Sequence, residues 1–109
     1  ASDVEVDEGT VVFDGAYIDA GARVGAQCVV NLNSLICHDS FIDDFVIVSP
    51  SAVIGGGVKV GPRTFIGLNA TINPYIKVAE DCVIGSGAVV IKDCQQPGTY
   101  VGNPASLLR

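Results

Sequence analysis

The 109-residue chain has no Trp, no Met, a single His, and only six Lys plus Arg against twelve Asp plus Glu, a net charge of −6. So little positive charge excludes a surface built to neutralise a nucleic-acid backbone or to rest on an anionic membrane. One His excludes a three-histidine zinc site, and no metal site is expected. Long apolar runs are missing despite a mean hydropathy of +0.47. Stretches such as Phe45-Val46-Ile47-Val48 fall far short of the roughly 18 to 20 residues of a spanning helix. Ala1-Ser2-Asp3-Val4-Glu5 lacks the basic and apolar regions of an export signal. The four cysteines, Cys28, Cys37, Cys82 and Cys94, have no CxxC spacing and fit reduced thiols, so the expected compartment is the cytoplasm. Thr10, Thr64, Thr71 and Thr99 form no ladder, which excludes an ice-binding face. What remains, 49% hydrophobic residues and 13 Gly in a short chain, describes one small globular domain.

A repeat dominates that domain. Stepping by six from Val6 through Val12, Ile18, Val24, Val30 and onward to Ile84 and Val90 meets Val or Ile at every position. Four residues after each stands a mostly small residue, among them Ala22, Cys28, Ser34, Ser40, Ala52, Ala70, Cys82, Ala88 and Cys94. The residue directly after the β-branched one is often Gly, Asp or Asn, types that tolerate tight turns and positive φ. Six residues advance a helix by about 1.67 turns, so no helix keeps this stripe on one face. A short strand plus a corner does, and the unit reads as the hexapeptide repeat of a parallel β-helix. If three units close a coil, fifteen make five coils, a prism roughly 24 Å tall at 4.8 Å per coil. Cys28 and Cys82 then lie three coils apart, about 14 Å, beyond disulfide reach, and the cysteines in the small slot read as buried hydrophobes.

The ends depart from the pattern. Residues 1–5 are polar and acidic, expected to fray or to pair at one edge only. After Cys94 the repeat stops, and Gln95-Gln96-Pro97-Gly98-Thr99-Tyr100-Val101-Gly102-Asn103-Pro104-Ala105 brings turn formers around a short apolar strand. The expected organisation is a β-helix over residues 1–95 with a cap segment over 96–109.

His38 occupies neither inward slot of its unit and should face outward. One coil above it in register is Gly56, within Gly55-Gly56-Gly57, the single triple glycine. So bare a stretch admits a ligand to the backbone and leaves N–H groups free to donate. Asp39, if the chain turns there, can hold one ring nitrogen and leave the other as a base. Asn31 lies nearby in sequence. Charge is lopsided: residues 1–44 carry nine acids against Arg23, and residues 45–109 carry three acids against five bases. One end suits an amine, the other a phosphorylated cofactor.

The repeat resembles the [LIV]-[GAED]-x-x-[STAV]-x pattern of the left-handed β-helix hexapeptide acyltransferases. The run Val29-Val30-Asn31-Leu32-Asn33-Ser34-Leu35-Ile36-Cys37-His38-Asp39 is similar to the catalytic segment of the sugar O- and N-acetyltransferases of the sialic-acid and bacillosamine pathways. The likeness continues through Gly55-Gly56, Ile84-Gly85-Ser86-Gly87-Ala88 and Val101-Gly102-Asn103-Pro104-Ala105. The resemblance implies an all-β fold, a left-handed parallel β-helix of about five triangular coils. It implies a homotrimer with acetyl-CoA, as co-substrate, along the cleft between neighbouring prisms. Carried over, His38 is the general base, Asp39 its partner, Gly56 the N–H that meets the thioester oxygen and Asn31 a substrate-binding group. Gly56, Leu68, Lys77, Ser86 and Lys92 would line the cofactor. Ser86 stands where the family often has Gly, and Ile47 where some amino-sugar members have a second histidine. Family members usually begin with an α/β domain that helps hold the nucleotide sugar, and this sequence begins with the repeat.

The function so implied is direct acetyl transfer from acetyl-CoA to an amine of a nucleotide-linked amino sugar. The competing readings are O-acetylation of sialic acid or another sugar hydroxyl, an acyl carrier protein as donor, and a noncatalytic trimeric scaffold. Cys37 as a nucleophile is disfavoured, because consecutive residues rarely present both groups to one reaction centre.

Overall fold

In the computed structural model, which describes residues 3–109, each hexapeptide forms one short strand and one corner. Strands are numbered along the chain, and those 18 residues apart pair in parallel to build three sheets. The first sheet stacks β1 (Glu5–Val6), β4 (Arg23–Val24), β7 (Phe41–Ile42), β10 (Lys59–Val60) and β13 (Lys77–Val78). The second stacks β2 (Val11–Val12), β5 (Val29–Val30), β8 (Ile47–Val48), β11 (Phe65–Ile66) and β14 (Cys82–Ile84). The third stacks β3 (Tyr17–Ile18), β6 (Leu35–Ile36), β9 (Val53–Ile54), β12 (Thr71–Ile72) and β15 (Val89–Val90). Five stacked coils of three hexapeptides each form an all-β solenoid, the closure that the family resemblance implies. Among the described residues no helix is long and apolar enough to cross a membrane.

β16 (Gly98–Val101) adds in parallel to β14, and β17 (Ser106–Leu107) returns antiparallel to β16. These two strands extend the second sheet past the last coil. The molecule is therefore 39 Å long and 21 by 19 Å across, longer than five coils alone would make it. At the other end Glu5 pairs with Arg23 along one edge only, and the Asp3 carboxylate accepts the Gly21 N–H at 3.1 Å. The expected fraying of Ala1 and Ser2 lies outside the described residues.

From Val24 to Val90 every Val or Ile of the six-residue stripe is at most 4% exposed, and together with Ala22, Cys28, Ala52, Ala70, Cys82 and Ala88 they fill the axis. Val6 and Val12 are 42% and 43% exposed, because among the described residues no coil lies beneath them. Mid-prism columns are close-packed, so Ile54→Val, which removes one methylene from a fully buried site, should cost about 1 kcal/mol in urea denaturation. The cysteines are free thiols. Burial raises the Cys94 thiol to about 11.

Two local expectations are corrected. Positive φ does not fall on the residue after the β-branched one. It falls two residues later, at every corner from Gly9 through Gln27, Asn33 and Asp39 to Gly87. The earlier position is often Gly because the next coil's backbone presses on it: a Cβ on Gly67 would stand 2.7 Å from the Ile84 carbonyl oxygen. Asp19, Asn31 and Asp43, which stand there instead, cap the following amide with the side chain, Asp43 accepting the Asp44 N–H at 2.7 Å. The second correction concerns Cys94, which pairs with Val78 only 16 residues away. The last unit is two residues short, and Cys94 stands in the β-branched column rather than the small slot. The Asp93 carboxylate accepts the Lys77 N–H at 2.9 Å there.

Candidate active site

His38 and Asp39 form the corner that follows β6 and precedes β7. Asp39 has φ 59°, so the chain does turn, and the two neighbouring side chains meet outside it. The imidazole Nδ1–H donates to Asp39 Oδ2 at 3.2 Å, with side-chain exposures of 55% and 73%. A carboxylate accepts only, so this bond places the proton on Nδ1 and leaves the Nε2 lone pair open.

Nε2 points over Gly56. A Cβ built on Gly56 would stand 2.6 Å from Nε2 and 2.8 Å from Cε1, so the ring occupies the room that any other residue would claim. The triple glycine is thus explained by three neighbours. Gly55 is pressed by the backbone of Pro74, Gly56 lies under the His38 ring, and Gly57, at φ 66°, lies against the Tyr75 ring. Its N–H groups are not all free. Gly55 donates to the Ile72 carbonyl and Gly57 to the His38 carbonyl, each at 2.9 Å. Only the Gly56 N–H has no acceptor among the described residues. A base and an unspent backbone donor of the next coil therefore stand together at one edge of the prism.

Cys37 makes no hydrogen bond to the imidazole among the described residues, and burial, reinforced by Asp19, pushes its thiol up. That disfavours the thiolate a nucleophile needs.

The other predicted residues divide between two corners. Lys92 follows β15 by two residues as His38 follows β6, at the same edge of the prism as Gly56. Leu68 and Ser86 lie at the opposite edge of the third sheet, in the column of Leu32. Asn31 stands at that edge too, its carboxamide oxygen accepting the Leu32 N–H at 3.0 Å. A side of the prism separates these groups, on the order of 15 Å for a hexapeptide with its corner. One chain does not bring Asn31, Leu68 or Ser86 to His38.

Lys77 lies on the outer face of the first sheet beside Lys59, its register partner. Lys59 was missed in the sequence reading, although its 18-residue offset from Lys77 makes it legible. Neither ammonium has an acidic partner among the described residues, whereas Arg23 and Arg63 are taken up by Glu5 and Asp81. Beyond Lys92 a cleft of about 660 Å³ opens between the last coil and the cap, lined by Lys92, Asp93, Gln95, Tyr100, Pro104 and Leu107. Its size is that of a small-molecule site.

No family model matches the chain. It is 49% identical over 104 residues to the UDP-3-O-acylglucosamine N-acyltransferase of Idiomarina loihiensis, a stretch that is 94% of this chain and 30% of that protein. The acetyltransferase domain of PglB from Neisseria gonorrhoeae, solved in complex with acetyl coenzyme A, superposes with a TM-score of 0.97 at 30% identity, covering 99% of this chain and 53% of that one. PerB from Caulobacter crescentus, solved with CoA and GDP-perosamine, is 26% identical with a TM-score of 0.55, over 93% of this chain and 55% of that one. The chain thus spans about a third of the curated relative and about half of these solved proteins. The resemblance to hexapeptide-repeat sugar acyltransferases is matched by both the sequence relative and the solved neighbours.

Proposed function

We propose that this chain is the acyl-transfer β-helix of a hexapeptide-repeat sugar N-acetyltransferase, moving acetyl from acetyl-CoA to an amine of a nucleotide-linked amino sugar. One observation carries the reading: an imidazole oriented by Asp39 rests on Gly56, whose N–H alone of the three glycines has no acceptor among the described residues. The acceptor amine attacks the thioester carbon as His38 Nε2 takes its proton, and the carbonyl π electrons move onto oxygen. The Gly56 N–H then stabilises that oxyanion, a contribution of about 3 kcal/mol for one such donor. Collapse of the tetrahedral species breaks the C–S bond, and CoA leaves as a thiol with the proton from the imidazolium. No acyl-enzyme forms.

Asn31, Leu68 and Ser86 join this chemistry when a second prism sets its opposite corner against the His38 corner. The two-corner distribution therefore supports a homotrimer with sites between subunits. Lys92, three coils from His38, suits a phosphate of CoA, and Lys59 with Lys77 adds attraction for anions. Lys92→Glu should raise the apparent KM for acetyl-CoA by about three- to tenfold with kcat nearly unchanged, the signature of lost ground-state binding. An unchanged KM removes Lys92 from the site. The nitrogen acceptors of the relatives favour an amine over a sialic-acid hydroxyl. The test is CoA release against a panel of nucleotide-linked amino sugars and sialic acids, with acyl carrier protein as the rival donor. Absence of acetyl-CoA binding in calorimetry favours the noncatalytic scaffold.

A further inference from the structure

We infer that Ser40 is the positioning residue that sets the Gly56 N–H against the His38 ring; this rests on the acyl-transfer reading of that corner. Ser40 lies two residues beyond the base, in the small inward slot, and is 1% exposed. Its hydroxyl donates to the Gly55 carbonyl at 2.7 Å and accepts the Val58 N–H at 3.3 Å. Those two backbone groups are the ends of the turn that carries Gly56. At seven other corners the same groups bond each other directly, as Ala52 N–H to the Ser49 carbonyl and Ala70 N–H to the Gly67 carbonyl, each at 3.2 Å, whereas the corners at 37–40, 43–46, 61–64 and 73–76 have no such bond. Across residues 55–58 a hydroxyl from the coil below is spliced between them, so one oxygen spans the turn.

The splice is a recurring device rather than an accident of one corner. Thr10 bridges the Gly25 carbonyl and the Cys28 N–H, and Thr64 bridges the Ala79 carbonyl and the Cys82 N–H. Only Ser40 splices the turn that lies under the imidazole. The His38 carbonyl also takes the Gly57 N–H at 2.9 Å. The strand that carries the base therefore grips the turn that carries the donor on both sides of Gly56. Without the hydroxyl, the Gly55 carbonyl and the Val58 N–H, both on buried residues, are left without a partner and recover one by closing on each other. Gly56 lies between them and moves with the closure, and an oxyanion donor depends on sub-ångström placement.

Ser40→Ala should therefore lower kcat for acetyl transfer by about tenfold or more while the KM for acetyl-CoA stays within about twofold. Ser40→Thr, which keeps the bridging oxygen as at positions 10 and 64, should hold kcat within about threefold of the parent. Thr64→Ala is the control: the same splice is lost at a corner away from His38, so thermal stability falls comparably and kcat does not. Ser40→Cys, a side chain already housed in the equivalent slot at Cys28 and Cys82, serves if the alanine variant does not fold; its weak acceptor should lower kcat as well. A crystal structure of either variant should show the Val58 N–H bonded directly to the Gly55 carbonyl. The inference is overturned if the Ser40 variants keep full kcat in an active parent, if Thr64→Ala loses as much kcat, or if Ser40→Thr does not preserve it. A parent that releases no CoA with any acceptor defeats the acyl-transfer reading instead, and the inference falls with it.

Discussion

His38→Ala should reduce kcat for acetyl transfer by about 10² to 10⁴, the range associated with loss of a positioned general base. The KM for acetyl-CoA should move by less than about threefold, because the proton transfer is made only in the transition state. The thermal midpoint should hold, since the ring is more than half exposed and its loss opens no core cavity. Steady-state CoA release, with a melting curve on the same sample, checks all three. Cys37→Ala in parallel should retain activity. An active His38→Ala protein beside an inactive Cys37→Ala protein would replace the base-catalysed mechanism with a covalent one.

Gly56→Ala should be nearly as damaging to activity, by about 10²-fold, for a steric reason. The new methyl would stand 2.6 Å from Nε2, and the atom it strikes is the mobile end of an exposed side chain, so the imidazole swings away rather than the backbone. Gly56 is not left-handed, so alanine pays no strain there, and the smaller entropy of its unfolded chain offsets any lost contact. Activity should collapse while stability holds or rises slightly. The double variant is the sharper test. Once His38 is alanine the methyl has nothing to displace, so adding Gly56→Ala should cost little further activity, a strong departure from additivity. Additive losses would mean that the glycine matters for another reason, such as room for the thioester.

Both predictions concern a pair of residues 18 apart, and that pairing was legible without coordinates. In a solenoid the neighbour across a strand is always one coil away in sequence, so with three hexapeptides to a coil, as the family resemblance implies, the unbroken Val and Ile stripe carries the register with it. The same arithmetic placed Cys28 and Cys82 inside the prism and His38 outside. It failed where the chain leaves the period: Cys94 pairs two residues early because the last unit is shortened on its way to the cap, and nothing in the residue types marks the slip. The glycines misled for a related reason. Their composition signalled a corner but could not separate a residue that is left-handed from one pressed by the coil above, since glycine satisfies both.

The order of side chains alone determined a six-residue strand-and-corner unit with its inward and outward faces, because that period leaves no other way to bury Val and Ile. Three units to a coil, and with them five coils and the meeting of one imidazole with one bare stretch of backbone, came from the family resemblance. Only the folded chain decided which of three glycine amides is left without an acceptor, that a buried serine hydroxyl bridges the ends of that turn, and that Asn31, Leu68 and Ser86 lie on a different edge of the prism from His38. Those outcomes depend on which atoms two adjacent coils bring within about 3 Å of each other. Hydrophobic periodicity sets the level of a residue in the stack, but hydrogen bonding between levels is settled by the geometry of contact.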